Sequence, residues 1–70
     1  MKILLADDHT LVRQGIRRML EEDPGWSVVG EASDGHEVLR MAEELRPDMA
    51  IVDVAMPHLN GIEEIGRAHV

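Results

Sequence analysis

Apolar and polar positions fall into blocks along the chain, and the blocks have two different periods. Lys2 to Ala6 carries a short apolar run that ends in Asp7 and Asp8. A run of this kind, bounded by polar residues, predicts a strand buried on both faces, as in a parallel sheet. From Leu11 onward the spacing changes. Leu11, Val12, Ile16, Met19 and Leu20 recur near helical period, while Arg13, Arg17, Arg18, Glu21 and Glu22 take mostly the other side. Asp8, His9 or Thr10 can cap this helix, and Asp23, Pro24 and Gly25 stop it. Gly15 inside it costs up to about 1 kcal/mol against alanine unless something packs closely there.

A second strand follows from Trp26 to Ala32, centred on Val28 and Val29, with Trp26 expected to cover the end of the sheet beside Pro24. Ser33, Asp34 and Gly35 open a second helix, and Glu37 stands three residues after Asp34, the spacing of a capping box. Val38, Leu39, Met41, Ala42 and Leu45 form its apolar side. Arg46 precedes Pro47, and a residue before proline avoids helical angles, so the helix ends there. Met49 to Asp53 is the third strand, again expected to be buried on both faces. A loop with Pro57, Asn60 and Gly61 leads to a third helix from Gly61. The order β-α-β-α-β-α, with connections long enough for helical crossovers, predicts an α/β fold: a doubly wound parallel sheet with right-handed connections.

Composition narrows the class. Seventy residues make one small domain with a modest core, and an apolar fraction of 44% is that of a globular chain. With one Trp and no Phe or Tyr, the core is aliphatic. The absence of cysteine excludes disulfide and thiolate chemistry and is compatible with the cytoplasm. No apolar stretch approaches the roughly 20 residues needed to span a bilayer, and no signal peptide is present, so no membrane partner is expected. A formal charge of −7 argues against direct nucleic-acid binding by these residues, because phosphate backbones demand a basic face. Neither an internal repeat nor a low-complexity tract is found.

The chemistry lies in three carboxylates. A lone Asp at a strand end is most often a turn or cap residue. Here Asp53 ends the third strand, and Asp7 and Asp8 end the first. In parallel α/β sheets the ligand site lies beyond the carboxyl ends of the strands, and all three residues stand there. Like charges about 4 Å apart repel by roughly 4 kcal/mol at an effective dielectric of 20, so such a cluster takes up protons or a cation. Mg²⁺ suits it, being a hard ion held by one or two carboxylates together with waters or phosphate oxygens. A carboxylate can also attack phosphorus and form an aspartyl phosphate.

Leu4-Leu5-Ala6-Asp7-Asp8-His9 and Asp53-Val54-Ala55-Met56-Pro57-His58-Leu59-Asn60-Gly61, in this order on a βα scaffold, resemble the receiver domain of bacterial two-component response regulators from Lys2 to about Glu63. Val28 to Gly35 also resembles the subfamily whose receivers precede a LuxR-type helix-turn-helix domain. The resemblance implies a flavodoxin-like receiver fold, here truncated after strand three, with strand order 2-1-3. It implies that Asp53 is the phosphate acceptor, Asp8 a direct Mg²⁺ ligand, Asp7 a ligand acting largely through water, and the Ala55 carbonyl the third protein oxygen on the metal. It further implies a sensor histidine kinase as phosphoryl donor, DNA contact only through a C-terminal helix-turn-helix domain outside these residues, a cytoplasmic location, and dimerisation of the intact protein on phosphorylation. The family's sites are completed by a hydroxyl residue after strand four and a lysine after strand five. Neither falls within residues 1–70, and Lys2 is at the wrong end of the first strand to substitute.

Residues 1–64 are therefore read as the N-terminal part of a receiver. Ile65-Gly66-Arg67-Ala68-His69-Val70 departs from the apolar spacing a third helix requires, and ATC-GGA-AGA-GCA-CAC-GTC, the start of a widely used short-read sequencing adapter, encodes these six residues. Residues 65–70 are accordingly expected to be a non-native tail. With strand three as an open apolar edge, the polypeptide is expected to be partly folded and prone to aggregation.

Two rival functions are weaker. A Mg²⁺-dependent phosphohydrolase of the haloacid-dehalogenase type would use Asp53 as nucleophile but places a second Asp where this chain has Ala55. A phosphorylation-independent interaction module would not need all three acidic positions filled. His9, His36, His58 and His69 match no zinc spacing and are expected to be exposed cap or loop residues.

Overall fold

The computed structural model describes residues 1–57. His58, the Asn60-Gly61 turn, the third helix, His69 and the 65–70 tail lie outside the described residues. Five elements are seen: β1 (Lys2–Ala6), α1 (Thr10–Glu21), β2 (Ser27–Ala32), α2 (Gly35–Leu45) and β3 (Met49–Val52). They form a three-stranded parallel sheet in the order β2-β1-β3, the expected 2-1-3 arrangement of a doubly wound sheet.

The central strand owes its place to its composition. Ile3, Leu4, Leu5 and Ala6 are all buried, as a strand with cover on both faces requires. Leu4 and Ala6 join Ala32, Val38 and Met56 in a core cluster, with Met41, Ala42 and Val52 packed against it. Ile3 and Leu5 alternate to the other face. On β2, Glu31 bonds to α1 while its neighbour Gly30 lies against α2, so the two helices cover opposite faces of the sheet. The register of β1 against β2 passes from Ile3↔Val28 to Leu4↔Gly30, leaving Val29 as a bulge. A Cβ at Gly30 would come within 2.7 Å of Leu45 Cδ1 and 3.2 Å of Leu4 Cδ1, so the missing side chain is what lets α2 approach the sheet.

α2 is capped as its sequence predicts: the Asp34 carboxylate accepts from the Glu37 N–H at 2.9 Å. The other half of the box differs, because the Glu37 carboxylate accepts from the Ser33 hydroxyl at 3.0 Å. The helix ends on Arg46 in the left-handed region, φ 46°, whose N–H bonds back to the Ala42 carbonyl just before Pro47.

Two expectations are corrected. β3 is not buried on both faces. Met49 and Ala50 are exposed and Ile51 and Val52 half-buried, because among the described residues β3 pairs only with β1 and forms the sheet edge. α1 does not present its whole predicted apolar side to the core. Leu11, Val12 and Met19 are exposed, whereas Arg13, Ile16, Arg17 and Leu20 are half-buried. These four have the spacing i, i+3, i+4, i+7, a second valid helical stripe, and the two arginines reach Glu31 on β2. Trp26 lies at the amino end of β2 and is 38% exposed.

Candidate metal and phosphoacceptor site

The carboxyl ends of β1 and β3 lie side by side because the two strands are parallel and in register from Ile3↔Met49 to Ala6↔Val52. The next residue on each is an aspartate. Asp7 continues the ladder through its N–H to the Ala32 carbonyl (3.0 Å), and Asp53 does so through its N–H to the Ala6 carbonyl (2.9 Å). The sheet hydrogen bonds thus set where these two carboxylates start. Asp7, Asp8, His9 and Asp53 each offer a ligand atom, and these atoms lie within 4.8 Å of one another. Asp7 is buried, Asp53 half-buried, and Asp8 and His9 exposed.

Local bonds orient the group. The His9 N–H donates to Asp7 Oδ1 at 2.8 Å, closing a short turn at the start of α1. The Ala55 N–H donates to Asp53 Oδ1 at 2.9 Å, and the Met56 N–H to the Asp53 carbonyl at 3.1 Å. The Gly35 N–H donates to the Pro57 carbonyl at 2.8 Å, tying the loop after Asp53 to the start of α2. The three acidic positions expected to act together are therefore gathered at one edge. Ala55 reaches Asp53 through its amide.

Two residues at the site were read otherwise from the sequence. His9 is an exposed cap residue, as expected, but its side chain makes no capping bond. Its Nδ1 lies 3.2 Å from Asp7 Oδ1, 3.0 Å from Asp8 Oδ1 and 4.0 Å from Asp53 Oδ2. Arg13, assigned to the outer polar side of α1, donates through Nη1 to the Asp7 carbonyl at 2.7 Å and through Nε to Glu31 Oε1 at 2.9 Å. The signal for Arg13 was available in the alternative stripe through residues 13, 16, 17 and 20. For His9 it was adjacency to Asp7 and Asp8 at a strand end.

The Arg13 hydrogen bond holds the Glu31 carboxyl below its ordinary value of 4.5; burial opposes this, and Arg17 adds to the lowering. A depressed carboxyl contributes stability that is complete above its unfolded pKa and is lost as pH falls through the folded one. The gap in urea midpoint between the native chain and Glu31→Gln is therefore expected to shrink as pH is lowered below 4.5. A gap independent of pH would show that Glu31 contributes nothing as a carboxylate.

Hard carboxylate oxygens at these separations suit a small divalent cation, so the donor set fits Mg²⁺. A groove of about 810 Å³ bordered by Ala42, Arg46, Pro47 and Met49 lies at the amino end of β3, away from these donors. No helix among the described residues is long and apolar enough to cross a membrane.

Comparison with known proteins agrees with this geometry. The sequence matches the response regulator receiver domain over residues 3–68. It is 51% identical over 63 residues to the response regulator GacA of Pseudomonas syringae, covering 90% of this chain and 29% of that protein. A LuxR-family two-component response regulator from Aurantimonas superposes with a TM-score of 0.85 at 41% identity, over 97% of this chain and 51% of that one. RcsB from Salmonella enterica serovar Typhimurium, solved on promoter rprA with the phosphomimetic BeF3⁻, superposes with a TM-score of 0.86 at 32% identity, over 99% of this chain and 37% of that one. The chain thus spans less than a third of the length of the curated relative. It belongs to the response regulator receiver domains of two-component systems.

Proposed function

We propose that this chain is the phosphoacceptor portion of a transcriptional response regulator, with Asp53 receiving a phosphoryl group from a sensor histidine kinase in the cytoplasm. One observation carries the reading: Asp7 and Asp8 stand beside Asp53 at the carboxyl ends of neighbouring parallel strands. In the transfer, an Asp53 carboxylate oxygen forms a bond to phosphorus, the phosphorus–nitrogen bond of the donor phosphohistidine breaks, and the imidazole leaves with the electron pair. Asp7, Asp8, Asp53 and the Ala55 carbonyl would hold Mg²⁺. Bound there, Mg²⁺ neutralises charge on the transferring group. The Ala55 N–H fixes the Asp53 carboxylate, and Arg13 fixes the backbone at Asp7. A DNA-binding output domain beyond these residues, as the promoter-bound RcsB suggests, would read the change, with dimerisation on phosphorylation.

The test is a Mg²⁺ titration followed through the amide shifts of Asp53 and Ala55. Trp26 fluorescence is a poor reporter, since Trp26 stands at the opposite end of the sheet. Asp8→Ala is expected to weaken Mg²⁺ at least about tenfold. Equal titrations for the native chain and Asp8→Ala would remove the assignment.

A further inference from the structure

We propose that Glu31, a residue of β2 outside the acidic edge, is a positioning residue for Asp7 and Asp8, acting through Arg13. This role rests on reading that edge as the phosphoacceptor site and adds to it a control from the neighbouring strand.

The backbone around Asp7 carries the argument. Direct pairing of β1 with β2 runs to Ala6↔Ala32, and the Asp7 N–H still donates to the Ala32 carbonyl at 3.0 Å. The next peptide unit, which joins Asp7 to Asp8, has left the sheet and sets how far apart the two carboxylates stand. Its carbonyl accepts from Arg13 Nη1 at 2.7 Å. The same guanidinium donates through Nε to Glu31 Oε1 at 2.9 Å, and Glu31 sits opposite Leu5, two residues before Asp7. The peptide unit before Asp7 is thus tied to β2 directly, and the one after it is tied to β2 through Arg13 and Glu31. The Arg13 side chain is 17% exposed, against 42% for Arg17, so its bonds are the better shielded from water.

Two bonds from one planar fork are what an arginine supplies and a lysine, a point charge, does not. Arg17 is the natural control. It meets the other oxygen of the same carboxylate, Glu31 Oε2, and its second partner is Glu21, one turn along α1. Charge and positioning also predict opposite signs. Removing a guanidinium near a cation site relieves like-charge repulsion, so charge alone tightens Mg²⁺ when Arg13 is neutralised. Loss of positioning weakens it.

The experiment titrates Mg²⁺ against the Asp53 and Ala55 amide shifts in the native chain, Arg13→Gln, Arg13→Lys, Glu31→Ala, the double variant Arg13→Gln with Glu31→Ala, and Arg17→Gln. Far-UV circular dichroism checks the fold of each, and Arg13→Lys, which keeps the charge, carries the test if Arg13→Gln unfolds. A second readout needs no metal: the ratio of amide hydrogen exchange at His9, whose N–H donates to Asp7 Oδ1, to that at Leu5 within β1. Arg13→Gln, Arg13→Lys and Glu31→Ala are each expected to weaken Mg²⁺ at least about tenfold. The His9-to-Leu5 ratio should rise about tenfold in the same variants, as loss of one charge-assisted hydrogen bond allows. The double variant should be no weaker than Arg13→Gln alone, because both changes break one connection. Arg17→Gln should leave the ratio unchanged and Mg²⁺ affinity equal or higher. Tighter or unchanged Mg²⁺ in Arg13→Gln and Arg13→Lys, an unchanged exchange ratio, additive losses in the double variant, or an equal loss in Arg17→Gln would each overturn the role of Glu31 while leaving the phosphoacceptor site standing. Absence of any Mg²⁺ response in the native chain would remove both.

Discussion

Asp53→Asn is expected to abolish phosphoryl incorporation from acetyl phosphate and Mg²⁺, leaving no protein heavier by one phosphoryl group in intact-mass spectra. The substitution replaces the anionic nucleophile by an amide, which is neutral and a poor nucleophile. The comparison needs an active background. Lys2 is the only lysine in the seventy residues and lies at the exposed amino end of β1, whereas Asp53 follows the carboxyl end of β3. No lysine can therefore pair with charge developing on the phosphoryl group. Loss of one such preorganised stabiliser costs about 3–4 kcal/mol of barrier, or 10²–10³ in rate. The 70-residue chain should be labelled slowly or not at all. A chain extended through the hydroxyl and lysine positions of the family should be labelled, and its Asp53→Asn variant should not. Fast labelling of the 70-residue chain would show that the lysine is dispensable, and labelling that survives Asp53→Asn would remove Asp53 as the acceptor.

The second large effect is on folding. Leu4 is fully buried at the centre of the sheet and belongs to the cluster of Ala6, Ala32, Val38 and Met56. Truncating a buried leucine to alanine costs about 2–5 kcal/mol, the lost transfer energy plus the cavity left behind. A domain of this size draws at most about 3–5 kcal/mol from a single core. Leu4→Ala is therefore expected to eliminate the cooperative thermal transition seen by far-UV circular dichroism. Met19→Ala, at a side chain 70% exposed on α1, should shift stability by no more than about 0.5 kcal/mol. Equal melting of the two variants would mean that the Leu4 cluster is not what holds the sheet together. Exposed Met49 and Val54 near the sheet edge, with Leu11 and Met19 on α1, also make aggregation the alternative fate of the unfolded variant.

Order and type of the elements were legible in the sequence because they depend on local chemistry. The apolar runs at Lys2–Ala6 and Met49–Val52, the helical spacing between them and the Asp34–Glu37 cap act over a few residues, and each formed within two residues of its predicted bounds. Parallel strands follow from the crossover helices, whereas the 2-1-3 order was implied by the receiver resemblance. With the strands parallel, Asp7, Asp8 and Asp53 had to gather at one edge. Only the tertiary structure decided which stripe of α1 faces the sheet. Leu11-Val12-Ile16-Met19-Leu20 and Arg13-Ile16-Arg17-Leu20 both satisfy helical period, and the choice turns on the rotation of α1 over β2, where Glu31 offers the arginines a partner. Burial of β3 was equally beyond local reading, since it depends on what lies next to the strand and not on its own residues. The imidazole of His9 is the clearest case. Nothing within a turn of residue 9 calls for its ring to face Asp53; the two meet because β1 and β3 are neighbours in space, a relation set by the packing of the whole sheet.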